Sequence, residues 1–101
     1  MKHMVRYTVK PECAAENERL AAAVYEALRA ARPPGLRYAT FRLPDGVSFL
    51  HLVSHEAGES GNALTSLPAF QAFAAGVKDR CAVLPERSAL TEIGSYGWFD
   101  A

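Results

Sequence analysis

The stretch Arg42 to Leu52, "RLPDGVSFLHL", decides the fold. It sets a Pro-Asp-Gly turn signal between two runs carrying aromatic and β-branched residues, "LRYATFRL" (36–43) and "VSFLHLVSH" (47–55), which is the pattern of a β-hairpin. With Asp45 and Gly46 as the two turn residues, Pro44 opposes Val47. Counting back pairs Phe41 with Leu50, Thr40 with His51, Ala39 with Leu52 and Tyr38 with Val53. Successive side chains alternate between faces of a sheet. One face then carries Ala39, Phe41, Leu50 and Leu52, and the other Tyr38, Thr40, Arg42, Phe49, His51 and Val53. The wholly apolar set is expected beneath helices and the mixed set on the open face. A slip of one residue would exchange the two.

Working outward, "HMVRYTVK" (3–10) has Val5, Tyr7 and Val9 at period two and reads as a strand that Pro11 ends. Residues 13–32 lack Gly and Pro and are rich in Ala, Leu, Glu and Arg, so they read as a helix. Its apolar stripe is Leu20, Val24, Ala27, Leu28 and Ala31, with Glu12, Glu16, Arg19 and Glu26 on the other side. "RPPG" (32–35) stops it. "EAGESGNALTS" (56–66) reads as a loop flanking a pocket mouth, and Thr65 or Ser66 is placed to cap a second helix with Pro68 in its first turn. Leu67, Phe70, Ala74, Val77 and Cys81 recur at three and four, predicting that helix over 67–81. Gly76 within it is read as a close helix-to-sheet contact. Pro85 ends the connection, and "RSALTEIGSY" (87–96) is the final strand. The order β-α-β-β-α-β defines an α+β, ferredoxin-like single domain over 1–101: a four-stranded antiparallel sheet with two helices on one face.

Composition bounds the function. Eleven basic residues balance eleven acidic ones, so no electrostatic footprint for nucleic acid or an anionic membrane is expected. The apolar runs are too short to span a bilayer. "MKHMVRYTV" lacks a signal-peptide core, which predicts a cytoplasmic protein. Cys13 and Cys81 are isolated and read as reduced thiols, with no clustered metal ligands and no cofactor implied. An RNA-binding domain of this element order would carry a basic-aromatic glycine motif on the third strand, which "GVSFLHLVSH" lacks.

The mixed face poses the functional question. Tyr38, Phe49 and Val53 would form an exposed apolar patch on it, and the chain offers no further element as cover. A second copy closing on that face would give a homodimer with a shared interior. His51 is then the candidate acid/base, with Arg6, Tyr38, Thr40, Phe49 and Val53 as candidate ligand contacts and Thr8 beside Arg6. Burial beside apolar neighbours would hold the His51 ring neutral at pH 7. His55 is expected to be exposed at the strand end or a contact at the mouth, and His3 to have no role. The aromatic "SYGWFDA" (95–101) is expected to pack on the partner subunit.

The element order, the size and the passage "HLVSHEAGESGNALTSLPAFQAFAAGVKDR" (51–80) resemble the dimeric α/β-barrel superfamily, and within it the small antibiotic-biosynthesis-monooxygenase-like proteins. That resemblance implies a homodimer binding a small aromatic or polycyclic molecule, which some members oxidise with O₂ without metal or flavin. Haem-degrading members use a first-strand Asn with a Trp and a His. Here the first strand has no Asn, the only Trp is Trp98, and the second helix has no His. Two classes of function follow: an enzyme acting on an aromatic or carbonyl compound through His51, or a non-catalytic dimer that binds a metabolite or supports a partner.

Overall fold

The computed structural model describes residues 1–55 and 62–98. Its elements are β1 (Lys2–Val9), a 3₁₀ turn (Pro11–Cys13), α1 (Ala14–Ala31), β2 (Leu36–Arg42), β3 (Ser48–His55), α2 (Asn62–Thr65), α3 (Pro68–Ala75), α4 (Val77–Arg80) and β4 (Cys81–Leu90). The strands form one antiparallel sheet in the order β2-β3-β1-β4, the ferredoxin-like arrangement that the element order predicts. Residues 56–61 of the expected loop, and Phe99 to Ala101 of the tail, lie outside the described residues.

The hairpin register is as read from the sequence. Tyr38 pairs with Val53, Ala39 with Leu52, Thr40 with His51 and Phe41 with Leu50. The connection itself is longer than two residues. Leu43 N–H donates to Ser48 O at 2.8 Å, and Gly46, at φ +79°, donates its N–H to Leu43 O at 3.0 Å. The Asp45 carboxylate accepts from Val47 N (3.0 Å), Ser48 N (2.8 Å) and Ser48 Oγ (2.6 Å). Pairing is preserved because the extra residues are shared equally by the two strands.

The faces are exchanged relative to the sequence expectation. α1 and α3 pack together on the side that carries Tyr38, Thr40, Phe49, His51 and Val53, joined by Val5, Tyr7 and Val9 of β1. The core is built from Tyr7, Val9, Phe49 and Val53 of the sheet against Ala21 and Val24 of α1, Leu64 of α2 and Phe73 of α3. Phe49 and Val53 are only 2% and 4% exposed in the single chain, so the face bearing them is not free to bind a second copy. Ala39, Phe41, Leu50 and Leu52 lie on the open face, with Met4, Arg6 and Thr8 of β1. The physical reason lies in the helices. Asn17 and Tyr25 of α1 and Arg80 of α4 present polar groups inward, so a sheet face with hydroxyls and an imidazole can be buried with every hydrogen bond made. No buried side-chain polar atom lacks a partner among the described residues.

Several boundaries differ, and Asn62–Thr65 of the stretch expected to be loop forms the helix α2. The second helix is broken into α3 and α4 at Gly76, and its N-terminus starts from Leu67 with no side-chain cap, so neither Thr65 nor Ser66 serves that role. An added Cβ on Gly76 would stand 3.0 Å from Arg80 Nη1, so the close approach there is to a side chain and not to the sheet. Cys81 is no part of the helix stripe: it opens β4, paired with Val9, and the strand ends at Leu90. Pro85 lies inside β4, where the register shifts between the Arg6–Glu86 and Thr8–Val83 pairs. An edge strand with a bulge tolerates a residue that cannot donate to the ladder.

Candidate ligand site

A cavity of about 350 Å³ opens between the sheet and α3. Val5, Val53, Leu64, Phe70, Phe73 and Val77 form its apolar walls. Tyr7, Tyr38 and His51 are among the polar residues of the lining, together with His3, His55, Thr65 and Arg87. It therefore combines a mainly apolar wall with few polar groups, the usual make-up of a small-molecule site.

His51 is the hub of its polar part. The ring is 4% exposed, and its Nε2 lies 2.8 Å from Tyr7 Oη while its Nδ1 lies 2.6 Å from Tyr38 Oη and 3.2 Å from Thr40 Oγ1. Thr40 Oγ1 meets Tyr25 Oη at 2.6 Å. On the other side, Asn17 Nδ2 donates to Tyr7 Oη at 2.9 Å, and Arg80 Nε donates to Asn17 Oδ1 at 3.1 Å. Arg80 is held in turn by a bond from Nη2 to Phe73 O (2.9 Å) and by its guanidinium over the Phe73 ring at 5.0 Å. The result is one chain of hydrogen bonds, Arg80–Asn17–Tyr7–His51–Tyr38, that ties α4 and α1 to three strands. Phe73 also packs against the imidazole, with ring centroids 5.5 Å apart.

Burial sets the protonation states. It pushes the His51 pKa down to about 4, so the ring is neutral at pH 7, because desolvation penalises the imidazolium and no carboxylate touches it. Burial pushes the Tyr7 phenol up to about 12 and raises the Tyr38 phenol as well. All three groups are neutral hydrogen-bonding groups at pH 7. His3 is likewise lowered, by burial first and then by the nearby Arg87 charge; it stacks on His55 at 6.4 Å and lies 3.4 Å from Arg87 Nη2.

Of the residues singled out from sequence, Tyr38, His51 and Val53 line the cavity. Thr40 and Phe49 stand behind it, Thr40 as a partner of His51 and Tyr25, Phe49 stacked on Tyr7 at 5.7 Å. Arg6 is exposed, on the opposite face with Thr8, because β1 alternates and Val5 and Tyr7 take the helix side. It is not a ligand contact of this cavity. Sequence reading missed Tyr7, Asn17, Arg80 and Arg87, and set His3 aside. The signal for Asn17 was present: 17, 21, 24 and 28 fall on one helix stripe, and Asn17 is fully buried there with Ala21 and Val24. Cys13 and Cys81 are free thiols. Among the described residues no cluster of three or more His, Cys, Asp or Glu could hold a metal ion, and no helix is long and apolar enough to cross a membrane.

The fold is shared with several solved structures. The chain is similar to SnoaB, a cofactor-independent oxygenase from Streptomyces nogalater, with 20% identity, 95% of each chain covered and a TM-score of 0.69. Rv0793 from Mycobacterium tuberculosis is 16% identical over 93% of this chain and 95% of its own, with a TM-score of 0.75. A protein from Nitrosomonas europaea, provisionally assigned as an antibiotic biosynthesis monooxygenase, is 15% identical over 95% and 92%, with a TM-score of 0.76. No protein-family model matches the sequence, and no curated protein is similar to it.

Proposed function

We propose that this chain binds a planar aromatic compound bearing a phenol or carbonyl oxygen, and acts on it as a cofactor-independent oxygenase. The observation that carries this reading is the Tyr38–His51–Tyr7 hydroxyl–imidazole chain set in the lining of a mainly apolar cavity. Aromatic walls at Phe70 and Phe73 suit a flat ring, and the hydroxyls suit its oxygen. The fold shared with SnoaB supports oxygenase chemistry. In that chemistry an electron-rich substrate reduces O₂ itself: an activated CH₂ becomes C=O, one oxygen atom enters the product, and the other leaves as water with the two hydrogens.

The protein's share is to favour the enolate or phenolate form that reacts with O₂. With a pKa of about 4, His51 is a weak base. Full proton transfer to it from a phenol of pKa near 10 would be uphill by about 8 kcal/mol. Hydrogen bonds to the developing oxyanion therefore matter more than storage of its proton. The test is O₂ uptake with an anthrone-type substrate in chelator-treated buffer. One O₂ consumed per product, with one labelled oxygen incorporated from ¹⁸O₂, is expected. Saturable binding without O₂ uptake would leave the metabolite-binding alternative.

The open sheet face is the proposed homodimer interface. Met4, Ala39, Leu50 and Leu52 lie on it with Phe41, which is 40% exposed, and Trp98 rests on Phe41 with ring centroids 5.7 Å apart. The helix residues of the core pack on the opposite face of the sheet. A second copy related by a two-fold axis would bring the same face of both subunits together and cover these apolar side chains.

A further inference from the structure

The hydrogen-bond chain has a direction, and the direction starts at Arg80. A guanidinium can only donate. Arg80 Nε donates to the Asn17 oxygen, which fixes the amide so that Nδ2 faces Tyr7 and donates to its hydroxyl oxygen. Arg80 is itself buried and cannot swing away, held by Phe73 O and the Phe73 ring. With its oxygen already accepting from Asn17, Tyr7 gives its own proton to His51 Nε2, its other partner at 2.8 Å. His51 then carries its hydrogen on Nδ1 and donates to Tyr38 Oη at 2.6 Å, with Thr40 Oγ1 as the weaker second acceptor. Tyr38, accepting from His51, keeps its own proton for Thr40 or for a ligand oxygen. The reverse direction would place two donors on Tyr7 Oη and leave the Tyr7 hydrogen without an acceptor among the described residues.

We propose that Arg80 is a positioning residue that, through Asn17 and Tyr7, fixes His51 as the Nδ1–H tautomer and so turns the Tyr38 hydroxyl into a hydrogen-bond donor toward the cavity, selecting ligands that present an acceptor oxygen such as a ketone, phenolate or enolate. The ligand class rests on the cavity reading above, whereas the tautomer does not. Arg80 touches no ligand. Its cation also favours a negative charge building on the ligand, relayed through the polarised hydroxyls.

The test is the ¹⁵N–¹H correlation of the His51 ring in the unliganded protein at pH 7, read in three chains. In the wild type, Nδ1 should show the protonated signature and Nε2 the bare one. A proton on Nε2 overturns the proposal. Asn17→Asp keeps the shape but offers only acceptors, one to Arg80 and one to the Tyr7 hydroxyl. Tyr7 must then accept from His51, and the tautomer should invert to Nε2–H; an unchanged Nδ1–H signature in the folded variant contradicts the relay. Arg80→Met should leave the Asn17 amide free to turn and give a mixture of tautomers, and a ring still wholly Nδ1–H removes the role of Arg80. For the ligand class, the affinity of 1-tetralone relative to 1-naphthol should fall about tenfold in Asn17→Asp. An unchanged ratio, or no binding of either compound to the wild type, overturns that half while the tautomer result stands by itself.

Discussion

Asn17 on α1 donates to the Tyr7 hydroxyl on β1 at 2.9 Å, although both are buried and each lies on an otherwise apolar stripe. That bond is one of those, with Tyr25–Thr40 and Arg80–Asn17, that let this face of the sheet meet the helices. Tyr7 shares its face with His51, and Asn17 supplies the donor that lets the pair be buried. Without it, a sheet face bearing two phenols, a threonine and an imidazole would be costly to cover. The cavity follows from the same arrangement, since α3 rests on Phe73 and Phe70 and not on a flat aliphatic layer.

Removing the Tyr7 hydroxyl tests the chain's structural worth. Tyr7→Phe leaves Asn17 Nδ2 and His51 Nε2 without their partner, and each orphaned buried group costs about 1–3 kcal/mol. A loss of at least about 2 kcal/mol in urea unfolding at pH 7 is expected. Tyr25→Phe affects only the half-buried bond to Thr40 and should cost clearly less.

Stability should fall on the acid side. The folded-state pKa of His51 is lowered to about 4 by burial, below the ordinary value near 6.5. The unfolded chain therefore takes up a proton first as pH drops. The stabilisation is fully present above pH 6.5 and is lost progressively down to pH 4, on the order of 3 kcal/mol in all. Urea midpoints from pH 7.5 to 4, with His51→Gln as reference, measure it. Identical pH profiles for the two proteins would show that the ring titrates normally.

Two neighbouring residues separate the faces. Leu52 is half-buried on the open face and Val53 is 4% exposed beneath the helices. Leu52→Lys should leave a folded chain that sediments as a monomer where the wild type is a dimer. Val53→Lys should instead lower the unfolding free energy by several kcal/mol, since it buries a charge in the core. Wild type that sediments as a monomer at micromolar concentration refutes the interface.

Gly76→Ala would ordinarily favour a helix by up to about 1 kcal/mol. Here the new methyl would meet Arg80 Nη1 at 3.0 Å, and that guanidinium is held by Asn17 and Phe73. A net destabilisation of about 1 kcal/mol is expected, read by thermal or urea unfolding.

The hairpin and the strand pairing were legible because period-two alternation and a Pro-Asp-Gly turn leave little choice of register. The choice of covered face was not. Apolarity alone put Ala39, Phe41, Leu50 and Leu52 under the helices, yet Asn17, Tyr25 and Arg80 satisfy the polar face from above. The partners of a buried polar group come from distant parts of the chain: Arg80 lies 63 residues from Asn17. His51 was found because an imidazole in an apolar strand demands a partner. Tyr7 was hidden because its phenol reads as an ordinary core aromatic. Arg80 was hidden because a charged residue at a helix end reads as solvated.

The most direct measurement is a titration of 1-naphthol followed by side-chain NMR. The cavity beneath α3, with Tyr38 and His51 in its wall, should give saturable shifts at the His51 ring and at the Phe70 and Phe73 ring protons, and Tyr38→Phe should weaken binding about tenfold. Shifts confined to Leu50, Leu52 and Phe41 on the open face, or no saturation, would contradict the assignment of this cavity as the ligand site.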